Sequence, residues 1–323
     1  MTQKRIIAVV GATGVQGGGL CRAILADSAR DYTCRAITRD PGKAPARELA
    51  ADGAEVVKAD LDDIESLKKA FAGANGVFGI TNFWEHFSAE KETAQAKNIA
   101  DAAKAAGAKH VIWSTLEDTR KFMSPGDTRM PFLQTHYRVP HLDAKGEADA
   151  FFAGLPVTYL LTTFYWDNLY MFGLAPKKDA DGTYSWTFPL GDKRVAGIAG
   201  EDIGKAAYSI FKAGQPYIGR TVGVAGEYLT IQQIGDTLSK TLGIGPVKYN
   251  AVEPDVYRNF GFQGADEMGN MFQIFRDFEK EWIAARPLDE TRTLNPELQT
   301  FESFVRKNSE KILAAMGPAA PAS

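Results

Sequence analysis

Apolar residues in the first half of the chain fall into short, nearly unbroken runs, separated by stretches with helical spacing. RIIAVV (5–10), YTCRAIT (32–38), AEVVKAD (54–60), GVFGIT (76–81), HVIWST (110–115) and PVTYLLT (156–162) read as six strands. Runs this continuous suit strands covered on both faces. Between them lie an apolar-periodic helix from the glycines of 11–19 through Leu25, the helical segment IESLKKAF, an Ala-rich helix over 89–108, and a helix over 143–153. Strand–helix alternation at this spacing predicts an α/β fold with a doubly wound parallel sheet.

Beyond about 165 the alternation breaks. SWTFPLG and RVAGIAG read as short strands and EDIGKAAYSIFKAG as a helix. TVGVAG leads to a helix capped by Thr230, with Gln233 three residues on in capping-box spacing. EMGNMFQIFRDF and LQTFESFVRKNSEKILAAM read as further helices. This part of the chain is expected to form a smaller α+β C-terminal lobe, interleaved with the core if strands after 180 return to the sheet.

GATGVQGG follows the first strand and opens the first helix. Gly11 suits a tight turn, Gly14 lets backbone approach a pyrophosphate, and Gly17 lets the helix pack closely on the strand. The free N–H groups of the helix start then face the phosphates. A glycine triplet alone also serves any tight strand-to-helix turn. In this context it points to a Rossmann-like dinucleotide site. The second strand ends in ITRDPGK, where an NAD site usually places Asp or Glu. Arg39 comes first past the strand, with Lys43 close behind. A guanidinium can pair with a 2′-phosphate, so NADP(H) is expected over NAD, unless Arg39 is simply a solvated loop residue. Asp60, at the end of the third strand, can accept from the adenine amine, while Asp62 or Asp63 caps the helix that follows. The expected organisation is an NADP-binding Rossmann-like domain over 1–165, a substrate or partner lobe over 166–316, and a disordered tail over 317–323.

The net charge is −3 with no basic stripe, which argues against direct grip on nucleic acid. Cys21 and Cys34 are the only cysteines and form no CxxC, as expected of a reduced intracellular protein. No signal peptide and no apolar run near 18 residues is present, so a membrane span is not expected and a cytoplasmic location is, or a nuclear one in a eukaryote. Four histidines show no metal-ligand spacing with the cysteines, so no metal is expected.

Taken together, GATGVQGG, TRDPGK, AEVVKADLDD, ITNFWE, WSTLE, HLDAKGE and TFYWDN resemble the NmrA-like family of atypical short-chain dehydrogenases, over residues 5 to about 245. The resemblance is closest to a branch of NADPH sensors. The family also holds a nitrogen-metabolite repression regulator and oxidoreductases such as quinone reductases. It implies an NADP(H) site formed by Gly11, Thr13, Gly14, Val15, Gln16 and Gly17, by Arg39 and Lys43, by Asp60 and Leu61, by Thr81, Asn82 and Phe83, by Lys145, and by the loop Thr163, Phe164, Tyr165 and Trp166.

Hydride transfer to a carbonyl needs a proton donor beside the developing alkoxide. Short-chain dehydrogenases use Tyr-x-x-x-Lys, and here the tyrosine position holds His141, four residues before Lys145. Lys145 is expected to clamp the ribose; otherwise it is an exposed helical lysine paired with acids. His141 is either a weak acid candidate or a packing imidazole. Tyr137 and Tyr165 are nearby phenols. Phe83, Trp84, Phe87, Phe164, Tyr165 and Trp166 can wall an apolar substrate pocket or pack between lobes. The stretch 119–140 reads as a lid or a partner-binding loop. Two functions stay open: an NADP(H)-binding redox sensor with a protein partner and little dehydrogenase activity, or an NADPH-dependent reductase of a quinone, enone, imine or similar apolar acceptor. Monomer and homodimer are equally open.

Overall fold

The computed structural model describes residues 5–179 and 181–317. The expected disordered tail lies outside the described residues except for Gly317. The first strands are β1 Arg5–Val9, β2 Tyr32–Thr38, β3 Glu55–Lys58, β4 Gly76–Gly79, β5 His110–Thr115 and β6 Val157–Leu161. They are followed by β7 Phe164–Tyr165, β8 Lys177–Lys178, β9 Tyr184–Phe188, β10 Arg194–Ile198, β11 Thr221–Gly223, β12 Glu227–Thr230 and β13 Val247–Ala251. A seven-stranded sheet runs in the order β11-β6-β5-β4-β1-β2-β3, and every neighbouring pair is parallel. The doubly wound α/β fold read from the sequence is therefore the fold observed. Strand order reverses between β1 and β4, the place where open α/β sheets carry a ligand crevice beyond their carboxyl ends.

Helices α1 Val15–Ala26, α2 Ala44–Ala51, α3 Ile64–Phe71, α4 Ala89–Ala105, α5 Pro140–Ala148, α6 Asn168–Met171 and α7 Gly200–Ala213 cover the sheet or lead away from it. β1 shows why both faces are apolar. Ile7 and Val9 join one core with Leu20 of α1 and Ile203 of α7, while Ala8 and Val10 join the other with Leu67 of α3 and Ile99 of α4. α5 starts at Pro140, three residues before the helix read from the sequence, because proline is well placed in a first turn. It gives way to a 3₁₀ turn over Asp149–Phe152. α2 was not foreseen: APARELAA buries only Ala46 and Leu49 and shows no apolar stripe.

The later part of the chain divides between two regions. β11 hydrogen-bonds to β6 at the sheet edge, and α7 lies against α1. The rest builds two three-stranded sheets, β12-β10-β7 and β13-β9-β8. These pack with α8 Ile231–Leu242, α9 Pro254–Arg258, α10 Ala265–Asp277 and helices over Glu279–Ala284, Leu288–Leu294, Phe301–Lys307 and Ser309–Ala315. Trp166, Trp186, Phe188, Phe272, Phe301 and Phe304 centre that core. The capping box is present: Thr230 Oγ1 accepts from the Gln233 N–H, and the Gln233 side chain accepts from the Thr230 N–H. The stretch read as one helix over 298–316 is two, broken at Asn308.

The 119–140 segment is packed down. Asp143 is fully buried and accepts from the Thr119 N–H at 2.7 Å, the Thr119 hydroxyl at 2.6 Å, the Arg138 N–H at 2.9 Å and the Val139 N–H at 3.0 Å. Both ends of the loop are thus stapled to α5. Asn270 and Gln273 of α10 donate to the carbonyls of Pro131, Arg138 and Arg129 within it.

The contact between α1 and α7 is backbone on backbone. A Cβ on Gly204 would lie 2.1 Å from the Leu20 nitrogen and 2.3 Å from the Gly19 carbonyl carbon. Relief requires the helices to separate. Gly204→Ala should therefore cost about 1–3 kcal/mol or more, despite the better helix propensity of alanine. Urea unfolding monitored by circular dichroism checks this, and a neutral or stabilising result would contradict the packing.

Candidate functional site

The carboxyl ends of β1, β4, β5 and β6 lie along one edge of the parallel sheet, where the switch point between β1 and β4 places the ligand crevice of such folds. The chain leaves β1, turns at Gly11 with φ +63°, and enters α1 at Gly14, which brings no side chain to the helix start. A Cβ on Gly17 would lie 2.4 Å from the Gly11 carbonyl oxygen. The turn is therefore compact, and the first N–H groups of α1 face outward at the positive end of the helix. This shape and polarity fit a pyrophosphate. Val15 packs so tightly on Gly200 that a Cβ there would fall 1.6 Å from Val15 Cγ1. Thr13 is exposed beside the loop.

Under the loop runs a string of side chains. Ser114, at the end of β5, donates to Gln16 Oε1 at 2.9 Å, and the Gln16 amide donates to the Tyr165 hydroxyl. That hydroxyl also meets Thr162 Oγ1 at 3.2 Å. Burial raises the Tyr165 phenol above its ordinary value, against the pull of Thr162 and Gln16. Phe164 packs on Phe272 and Trp166 on Phe301 and Phe304, inside the lobe core. Thr163 donates to the Ala196 carbonyl and accepts from the Trp282 indole. For Thr163, Phe164 and Trp166 the side chains are engaged in the fold, and of the two roles left open for Phe164 and Trp166 these contacts are those of packing against the lobe.

Lys145 is neither exposed nor free. Its ammonium donates to Thr81 Oγ1 at 2.6 Å and to the Thr81 carbonyl at 3.1 Å, and lies 2.9 Å from Glu92 Oε1. Thr81 in turn donates to Glu92 Oε1 at 2.6 Å. Glu92 is 0% exposed. Burial alone would push its carboxyl up, but Lys145, His86 and Thr81 hold it down at about 2. The triad joins the end of β4, the first turn of α4 and the middle of α5. Glu92 was invisible as a site residue: AEKETAQ reads as an ordinary acidic helix start.

The candidate acids are occupied. The His141 N–H donates to Glu267 of α10 at 2.7 Å, and its Nδ1 contacts the same carboxylate at 2.5 Å. Its ring lies 5.0 Å from Trp84 and 5.9 Å from Phe83. Tyr137 donates to Glu147 at 3.0 Å; burial, then the Glu147 carboxylate, pushes its phenol up to about 12. The aromatic rim therefore comprises Phe83, Trp84 and Phe87, joined by Phe172, which is 53% exposed and 6.2 Å from Trp84. Phe172 was not foreseen. Neither was the pair at the β5 end, where Arg286 binds Glu117 through two bonds of 2.6 and 2.7 Å and donates to the Thr162 carbonyl at 2.8 Å.

Toward the other end of the crevice, Arg39 meets Glu85 through two contacts of 2.8 Å. Lys43 is exposed and occupies the N-cap position of α2. Asp60 accepts from the Asp62 N–H at 3.0 Å, with Leu61 half-buried beside it. Asp63, not Asp62, caps α3. Asp62 pairs with Lys91 at 2.9 Å. Asn82 donates to Glu85 at 3.2 Å.

A parallel sheet, a glycine turn at its switch point and an uncapped helix start define the class: a dinucleotide-binding fold of the atypical short-chain dehydrogenase kind. The NmrA-like family profile matches residues 3–305, and the chain belongs to that family. The NmrA-like family domain-containing oxidoreductase FrzB of Cladobotryum sp. is 30% identical over 283 residues, covering 84% of this chain and 82% of FrzB. NmrA, a negative transcriptional regulator, superposes with a TM-score of 0.79 at 25% identity, covering 97% of this chain and 98% of NmrA. Its complex with NADP superposes at 0.77, also with 25% identity and the same coverage, and its complex with NAD at 0.78 with 24% identity. A triphenylmethane reductase of Citrobacter sp., complexed with NADP(H), shares the fold at a TM-score of 0.71 and 20% identity, over 94% of this chain and 99% of the reductase.

The Lys145–Glu92 pair makes a stability prediction. Lys145→Met strands a buried carboxylate and should cost about 3–5 kcal/mol, while adding Glu92→Gln should recover most of that. A carboxyl held below its unfolded value contributes stability that is present above the ordinary 4.5 and lost as pH falls toward about 2. Denaturation of the parent, both single variants and the double variant across that range checks both statements. Equal acid sensitivity in parent and double variant would contradict them.

Proposed function

We propose that this chain binds NADP(H) in the crevice and acts as a cofactor-responsive sensor or regulator, with little ordinary alcohol dehydrogenase activity. One observation carries the second half of the reading: on the α5 face bearing Lys145 no phenol is free. The tyrosine position holds His141, bound to Glu267, and Tyr137 is spent on Glu147. In the first half, the α1 start and Gly11–Gly17 would hold the pyrophosphate, Arg39 and Lys43 the 2′-phosphate, and Asp60 the adenine amine. Thr81, Asn82 and Lys145 would meet the nicotinamide-side ribose. The bound cofactor would supply a hydride. NmrA, described as a regulator and solved with NADP and with NAD, supports a binding role that needs no turnover.

A second reading is favoured by the apolar rim of Trp84, Phe87 and Phe172. An NADPH-dependent reductase of a quinone, imine or similar acceptor needs no dedicated phenol, and FrzB carries an oxidoreductase name. Direct duplex DNA binding is not part of either reading, because a chain of net charge −3 has little to release counterions with.

Calorimetry with NADPH and NADH, followed by NADPH consumption with ketones, quinones and imines, separates the readings. NADPH should bind more tightly than NADH by roughly tenfold or more, and Arg39→Ala should remove that preference. Ketones should not be turned over. Brisk ketone reduction abolished by His141→Ala would make the histidine the acid and sink the sensor reading. Quinone or imine turnover that survives His141→Ala would establish the reductase. Lys145→Ala is informative only with a folding control, since the lysine neutralises Glu92.

A further inference from the structure

Arg39, the residue best placed to recognise a 2′-phosphate, is already engaged. Its Nη1 and Nη2 each lie 2.8 Å from a different oxygen of Glu85, so the end of the guanidinium fork is filled by a carboxylate. Both side chains are open to solvent, at 62% and 43% exposure. The pair spans the crevice, from the end of β2 to the one-turn 3₁₀ helix Phe83–Glu85 that follows β4. A second bridge, Asp62 to Lys91 at 2.9 Å, runs alongside it from the end of β3 to α4. Among the described residues these are the ion pairs that link the β2 and β3 ends to the segment after β4.

Resting on the NADP(H) reading, we propose that Glu85 is a specificity-determining residue that competes with the 2′-phosphate for Arg39, and that its displacement reports the identity of the bound cofactor to the aromatic rim. A phosphate dianion brought to Arg39 meets a carboxylate already on the same guanidinium. The two anions repel, and the phosphate carries more charge and more acceptor oxygens. NAD lacks that group and leaves the bridge closed. Glu85 lowers the advantage of NADP over NAD and makes the two cofactors structurally distinguishable.

The bridge is joined to the rim through a very short lever. Phe83 and Trp84 occupy the same helical turn as Glu85, and their rings reach His141 and, for Trp84, Phe172. Two residues beyond Glu85 lies Phe87, at φ +53°, a conformation that a bulky L-residue avoids. Gln134 holds it there: its amide donates to the Phe87 carbonyl at 2.9 Å and its oxygen accepts from the Ala89 N–H at 3.0 Å. Gln134 holds the segment beyond the turn, the Thr81–Lys145–Glu92 triad holds it before the turn, and Arg39 holds Glu85 within it. Loss of the Arg39 tether loosens the turn that carries Trp84 while both flanks stay held.

The test uses Glu85→Gln and Glu85→Ala, both at an exposed position, with calorimetry against NADP⁺ and NAD⁺. The protein is labelled with 5-fluorotryptophan, and its five tryptophans are read by fluorine NMR. Trp84→Phe assigns the Trp84 signal. Removing an exposed competitor for one guanidinium should strengthen NADP⁺ binding by ~3- to 5-fold and change NAD⁺ binding by less than about twofold. In the parent the Trp84 signal should shift with NADP⁺ and stay near its free position with NAD⁺. In Glu85→Gln the free signal should already lie toward the NADP⁺ position. An unchanged cofactor preference in both variants, or a Trp84 signal that moves equally with both cofactors, overturns the competition while leaving cofactor binding intact. Binding of neither cofactor by the parent overturns the NADP(H) reading and this proposal together.

Discussion

The crevice depends on a buried charge that cannot be left alone. Glu92 has no exposure to water, and an uncompensated carboxylate in such a place costs several kcal/mol, roughly what an entire small domain has in reserve. Lys145 and Thr81 answer it, and in doing so they fix three elements relative to one another: the end of β4, the start of α4 and the middle of α5. Thr81, Asn82, Phe83, His141 and Lys145 all hang from one of these elements, whereas the 163–166 loop follows β6. The lysine proposed to meet a ribose is therefore held in place before any ligand arrives, by Thr81 and Glu92. That is useful for binding. It also means that Lys145 belongs to the core as much as to the site.

The same logic holds at the position where short-chain dehydrogenases place a tyrosine acid. At the position four residues before Lys145, an imidazole is drawn into the lobe by Glu267 of α10 and packed between Phe83 and Trp84. It ties the aromatic segment and α5 to the C-terminal lobe. The phenol nearest the glycine loop, Tyr165, is built into the string from Ser114 through Gln16 and serves to brace the loop from below. Polar groups that would do acid–base work elsewhere here satisfy one another, as buried polar groups must.

What could be read from the sequence was local. The strands announced themselves as continuous apolar runs, the loop by glycines whose missing Cβ atoms the backbone requires, and the capping box by two residues three apart. α2 escaped because Ala46 and Leu49 make too narrow a stripe to see. The polar framework escaped for a different reason. Glu92 and Lys145 are 53 positions apart, His141 and Glu267 126, Glu117 and Arg286 169, and neither member of such a pair carries a mark of its own. Arg39 stood out as a candidate phosphate ligand from its place after β2, but its partner Glu85 did not, because ITNFWE shows an acid only as one more helix-start residue. For Phe164 and Trp166 the sequence left a pocket wall and core packing equally open, because apolar character suits both; in the structure they pack on Phe272, Phe301 and Phe304 of the lobe.

The two ion pairs at the crevice differ in the property that decides where a ligand can act. Arg39–Glu85 is solvent-exposed, and such pairs are worth about 0–1 kcal/mol. Lys145–Glu92 is buried, and breaking a pair of that kind by losing one partner costs about 3–5 kcal/mol. A phosphate binding to arginine gains roughly 1.5–3 kcal/mol per charge-assisted bond. That is enough to exchange the first pair and too little to disturb the second. A ligand can shift an equilibrium only by its differential affinity for the two states. On the proposed reading, a response to the cofactor would arise at the adenosine end, where the tether is weak, and would be carried by the short turn of Phe83–Glu85, with the buried triad as the fixed frame beside it.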